Sequence, residues 1–134
     1  MTLWKDSLLI GVEDIDRQHK KLVEAIDDLS DACSKGQGRA IIEKTLMFVV
    51  NYTKQHFTDE EKIAAAYNYP LLSNHKRLHV EFVTTVLGLV VDFNKNGPNI
   101  ALMSRINKTL VDWLINHITV EDKKIGDFIN STKK

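Results

Sequence analysis

Histidine, glutamate and aspartate can hold a metal ion through nitrogen and oxygen, and this chain sets them at helical spacing. His56 and Glu60 are four residues apart, as are His75 and His79, so each pair shares one helix face with converging side chains. His19 and His117 stand apart, and Asp122 follows His117 by five residues. Five is too wide for one face of a regular helix. The chain is therefore expected to leave its helix around Ile118, Thr119 and Val120 and fold Asp122 back. One His-x-x-x-Glu pair is a weak signal; two four-spaced pairs with two further histidines make a strong one.

The elements that must position these groups are visible as apolar periodicity. Four blocks repeat by threes and fours, separated by short Gly, Pro or Asn punctuation. The first carries Ile15, Leu22, Ile26, Leu29 and Cys33, and stops at Ser34 to Gly38. The second carries Ile42, Leu46, Val49, Ile63 and Tyr67. Pro70 is expected in the first turn of the third, which carries Leu72, Phe82, Val86, Leu89 and Phe93. The fourth carries Met103, Ile106, Leu110 and Trp113, and a tail from Asp122 to about Ile129 also reads as helix. Nothing alternates with a strand period. Long helices on short connections predict an all-α, up-down-up-down antiparallel four-helix bundle in a single domain over residues 1–134. The first dozen residues, with Trp4 and Gly11, read as a non-helical arm packed on the bundle.

All five histidines fall on the inward seams. A lone inward histidine is ordinarily a hydrogen-bonded core residue, but Glu60 shares the seam with Thr53 and His56. A buried carboxylate without a partner costs several kcal/mol, and the seams contain no arginine or lysine to pair with it. A bound cation removes that cost. Seven donors exceed what one ion takes, whereas two ions with bridging carboxylates use them all. The set holds imidazole and carboxylate without thiolate, which argues against an iron–sulfur cluster or a cysteine-rich zinc site. Iron fits first, with manganese and zinc behind it.

Composition narrows the partners. Lys plus Arg equals Asp plus Glu at 18 each, so there is no electrostatic reason to expect nucleic acid or an anionic membrane. The Lys133-Lys134 pair is too short to change that. The longest apolar run, Val86 to Val91, is far too short to span a bilayer. The single cysteine, Cys33, reads as a small core residue, and the opening residues lack a signal-peptide pattern; both fit the reducing cytosol.

These residues carry a resemblance to the bacterial hemerythrins, running from Trp4 to Phe128. Its segments are Gly11-Val12 with Ile15-Asp16-Arg17-Gln18-His19, then His56-Phe57-Thr58-Asp59-Glu60-Glu61, then Tyr69-Pro70, His75, His79 and Phe82. Trp113 to Ile118 with Asp122 completes it. The resemblance implies two iron ions joined by an oxo or hydroxo bridge. One iron would take His75, His79 and His117 and be full; the other would take His19 and His56 and keep a position open. Glu60 and Asp122 would bridge them. Molecular oxygen would bind reversibly at the open iron and be held as hydroperoxide. By the same similarity Trp113, Leu114 and Ile118 would line the oxygen pocket. Position 64, often methionine in the family, is Ala64 here, which implies a wider or wetter pocket.

An oxygen binder is therefore expected rather than an enzyme, since the chain lacks the paired Glu-x-x-His motifs of carboxylate-rich di-iron enzymes. The alternative is a redox enzyme that detoxifies peroxide, nitric oxide or oxygen at the same site with an electron-donor protein as partner. A third reading is a structural metal bundle holding zinc. Thr53 is expected to bond back within its own helix, and Glu61 to point outward.

Overall fold

The computed structural model describes residues 3–132, so Met1-Thr2 and the Lys133-Lys134 pair lie outside the described residues. Helix α1 spans Glu13–Ser34, α2 Arg39–Ala66, α3 Leu72–Asn96 and α4 Ile100–Asn116. A π-helical segment, His117–Asp122, then leads straight into α5, Lys123–Thr132. The described residues contain no strand. Contacts run α1 to α2, α2 to α3, α3 to α4 and α4 back to α1, closing a four-helix ring. Connections this short between neighbouring long helices turn each one back along the last.

Local chemistry sets the ends. Helix α1 begins with Glu13, Asp14 and Asp16, negative charges that complement the positive end of its dipole. Asn68, at φ 57°, closes α2: Tyr69 N–H bonds to Ala64 O and Asn68 N–H to Ala65 O, the paired bonds of a left-handed helix stop. Pro70 lies in the turn after that stop, where Leu72 N–H bonds to Tyr69 O. Helix α3 therefore starts at Leu72, later than the sequence suggested, because proline at the second position of a turn serves the turn first. Asn99 caps α4 by accepting from Leu102 N–H at 2.8 Å.

The core follows the predicted seams with local adjustments. Ile15, Leu22, Ile26, Leu29, Leu46, Phe93, Ile106 and Leu110 are fully buried. Past Glu60, however, Ala64 takes the inward position and Ile63 is only partly buried. A helix of 3.6 residues per turn drifts out of a 3.5-residue seam over this length. Cys33 is likewise half-buried, and Ala32 faces the core in its place. The arm contains one 3-10 turn, Asp6–Leu8, rather than being wholly non-helical.

That arm is built into the fold. Ile10 and Gly11 N–H groups donate to the two carboxylate oxygens of Asp16, and Leu3 N–H donates to Asp27. Leu8 and Ile10 are buried. The Ile10 carbonyl sits so close to α5 that a Cβ on Gly126 would stand 2.1 Å from it.

Candidate metal centre

Antiparallel packing brings four distant segments to one end of the bundle. His19 lies near the start of α1, His56 and Glu60 near the end of α2, His75 and His79 near the start of α3, and His117 just after α4. Asp122 joins them by a route different from the one expected. The chain does not leave the helix and fold back; it continues as a π-helix from His117 to Asp122. Bonds between residues five apart widen the turn, so two side chains five apart share one face.

All seven groups meet, and none is more than 3% exposed. Their ligand atoms form two overlapping sets, one of His75, His79, His117, Glu60 and Asp122, the other of His19, His56, Glu60 and Asp122. The carboxylates belong to both because each divides its oxygens. Glu60 Oε1 lies 2.6 Å from His75 Nε2 and 3.2 Å from His79 Nε2. Its Oε2 lies 3.1 Å from His56 Nε2 and 3.4 Å from His19 Nε2. Asp122 Oδ1 stands 3.1 Å from both His75 and His117 Nε2, while Oδ2 stands 3.0 Å from His19 Nε2. Every one of these histidines turns its Nε2 inward.

The outer edges of two rings have partners that assign their protons. Gln18 Nε2 donates to Asp59 Oδ2 at 2.9 Å, which leaves Gln18 Oε1 to accept from His56 Nδ1 at 2.8 Å. Glu61 Oε2 accepts from His79 Nδ1 at 2.7 Å. With the proton held on Nδ1, each ring presents a lone pair at Nε2, the form a metal ligand needs. His79 Nε2 then faces His117 Nε2 across 3.1 Å.

Hydrogen bonding leaves this cluster incomplete as protein alone. Burial lowers the His19 and His75 pKa values, but the Asp122 and Glu60 carboxylates beside them outweigh it and hold both up at about 9. Burial raises Glu60 and Asp122, the latter also repelled by Glu60, yet the surrounding histidines hold both well below the usual carboxylate range. Two negative charges thus persist in a sealed site, and without a metal ion they are offset by protons on His19 and His75. Both nitrogens of His19, Glu60 Oε2 and both oxygens of Asp122 are buried without a hydrogen-bond partner. Orphaned donor atoms of this kind, convergent and without thiolate, fit metal cations.

The family model for the hemerythrin HHE cation binding domain matches residues 10–129. The chain is 32% identical over 131 residues to a bacteriohemerythrin of Stenotrophomonas maltophilia, covering 98% of this chain and 83% of that protein. It is 34% identical over 127 residues to a bacteriohemerythrin of Pseudomonas aeruginosa, covering 95% and 80%. A myohemerythrin of Theromyzon tessulatum is 32% identical over 123 residues, covering 90% and 88%.

The chain belongs to the hemerythrin family.

Around the hemerythrin cluster, aromatic rings wall the three-histidine side. Trp113 stacks on His117 at 4.3 Å between centroids and on Phe82 at 3.9 Å, and Phe57 stacks on His79 at 3.7 Å with an interplanar angle of 2°. Leu114, Ile118 and Ala64 are buried, whereas Trp113 is half-buried. Thr53 bonds back to Val49 O at 2.7 Å, as its helix position suggested. Glu61 departs from expectation: it turns toward His79 and is 24% exposed, instead of pointing away. The sequence assigns neither Gln18 nor Glu61 a contact with a metal-set ring. Each adjoins a metal-set residue in the chain, yet its partner ring lies on another helix, so local spacing holds no trace of the contact. Among the described residues, no helix is long and apolar enough to cross a membrane.

Proposed function

We propose that the chain binds molecular oxygen reversibly at a non-haem di-iron centre, as a storage, delivery or scavenging protein of the cytosol. The observation that carries this reading is the unequal division of the seven donors. The carboxylates serve both positions, but three imidazoles face one and only two face the other. A position short by one protein donor is where an exogenous small molecule can enter.

Iron held there would supply the electrons that let oxygen be taken up without a haem. The protein's own part is to prepare the position. His75, His79 and His117 would fill one metal site, and His19 and His56 the other, with Glu60 and Asp122 spanning both. Proton placement by Gln18 and Glu61 keeps the His56 and His79 lone pairs inward. By the family resemblance, Leu114, Ile118 and Ala64, all buried, and the half-buried Trp113 would line the oxygen pocket, with the small Ala64 side chain leaving it wider. Ligation mostly by neutral imidazole places less negative charge on the irons than extra carboxylates would, which favours the ferrous state and release over O–O cleavage.

The test is spectroscopic. Protein loaded with ferrous iron under argon is exposed to oxygen and then sparged with argon again. A visible charge-transfer band that appears with oxygen and fades on sparging supports the proposal. A band that decays irreversibly to a ferric spectrum favours the redox-enzyme reading instead, and no band at full iron loading refutes oxygen binding.

A further inference from the structure

The two metal positions differ in the charge behind them as well as in their donor count. Behind His79, on the three-histidine side, stands the Glu61 carboxylate at 2.7 Å. Behind His56, on the two-histidine side, stands the neutral amide of Gln18 at 2.8 Å, with the nearest carboxylate, Asp59, one hydrogen bond further out. A carboxylate that accepts the Nδ1 proton pushes electron density onto the opposite nitrogen and makes the ring a stronger donor. An amide does so far less, being uncharged.

Orientation alone does not explain Glu61. Phe57 already lies flat against the His79 ring at 3.7 Å, so the ring plane is held by packing. What Glu61 adds is charge. It reaches the ring from the rim of a groove between α2 and α3, lined by Lys54, Thr58, Val80 and Thr84, where part of its side chain meets solvent.

We propose that Glu61 is a positioning residue that makes the three-histidine position the tighter of the two and the first to take a metal ion. The neutral Gln18 leaves the two-histidine position weaker, filled second and more readily rearranged. This inference rests on the reading of the seven residues as a two-metal site, but not on oxygen binding.

Cobalt(II), titrated into the metal-free full chain under argon and followed by visible absorbance against a competing chelator, provides the test. Wild type should bind in two steps, with His117→Ala removing the tight step and His56→Ala the weak one. Glu61→Gln keeps the acceptor and removes the charge, and should weaken the tight step about tenfold while leaving the weak step unchanged. Glu61→Ala should weaken it by about 10- to 100-fold. The double variant Gln18→Glu/Asp59→Asn carries the charge to the other side with the donor and acceptor of that pair exchanged. It should strengthen the weak step about tenfold, a change that no loss of structure would produce. Equal effects of Glu61→Gln on both steps, or none beyond twofold in either, overturn the proposal, as does a chain that binds no cobalt. A chain that shows these steps but no oxygen-dependent band leaves the inference standing and refutes only the oxygen-binding function.

Discussion

Gly126→Ala changes one hydrogen into a methyl group in the middle of α5, and two opposite effects compete. Alanine is the better helix former by about 1 kcal/mol. Against that, the new Cβ would lie 2.1 Å from the Ile10 carbonyl oxygen and 2.9 Å from its carbon. Ordinary contact needs a separation about 1 Å greater, and the obstacle is backbone rather than the end of a flexible side chain. The arm cannot retreat freely, because Ile10 and Gly11 are bonded to Asp16 and the Leu8 and Ile10 side chains are buried. Overpacking costs roughly 1–3 kcal/mol. Expelling the arm instead forfeits roughly 1.5–3 kcal/mol for each of the two side chains.

The steric effect wins. Because the obstacle is backbone, the overpacking cost lies at its upper end, about 3 kcal/mol. Less the helix gain, a net loss of about 2 kcal/mol is expected, a fall in midpoint of roughly 5–10 °C for a domain of this size. Gly88→Ala is the matched control: the same change in the middle of α3, where a Cβ meets nothing within 4 Å. It should stabilise by about 0.5–1 kcal/mol. Urea unfolding of both variants beside wild type, in the metal-free state, reads the two signs directly. If Gly126→Ala is as stable as wild type or gains like Gly88→Ala, the tight seating of the arm on α5 is wrong.

Other consequences can be checked on the same material. His19 and His75 have folded pKa values of about 9, raised above the ordinary 6.5. Their contribution to the metal-free protein is therefore fully present below pH 6.5 and lost as pH rises through 9. The urea midpoint of chelator-treated protein should fall between pH 6 and pH 9.5, and a flat or rising midpoint would contradict the raised values. Glu60→Gln removes a charge shared by both metal sets, so iron retained after desalting should drop below that of wild type; unchanged iron content would exclude Glu60 as a ligand. Asn99→Ala deletes the α4 cap and should cost about 1 kcal/mol, measured as a shift in urea midpoint without change in slope.

Much of the molecule is legible in the chain because helices are local objects. Apolar spacing by threes and fours, with Asn68, Pro70 and Gly97 between blocks, marks α1 to α4 to within a few residues. The same periodicity puts His19, His56, Glu60, His75, His79 and His117 on inward faces, and the burial of so many polar groups without a lysine or arginine calls for a cation. Residue type and register carry that much.

Spacing could not show how the helices end or what meets between them. Asp122 arrives by a π-helical turn, since a helix can widen locally when a side chain gains a buried partner, and neither pattern nor propensity encodes that partner. Ala64 displaces Ile63 because the drift between the helix repeat and the seam accumulates along α2. The division of the Glu60 and Asp122 oxygens, the Gln18 and Glu61 contacts and the fit of Ile10 over Gly126 all join residues that are distant in the chain. Such contacts are decided by tenths of an ångström in how whole helices pack, where many side chains act at once, and a sequence records each of those side chains only singly.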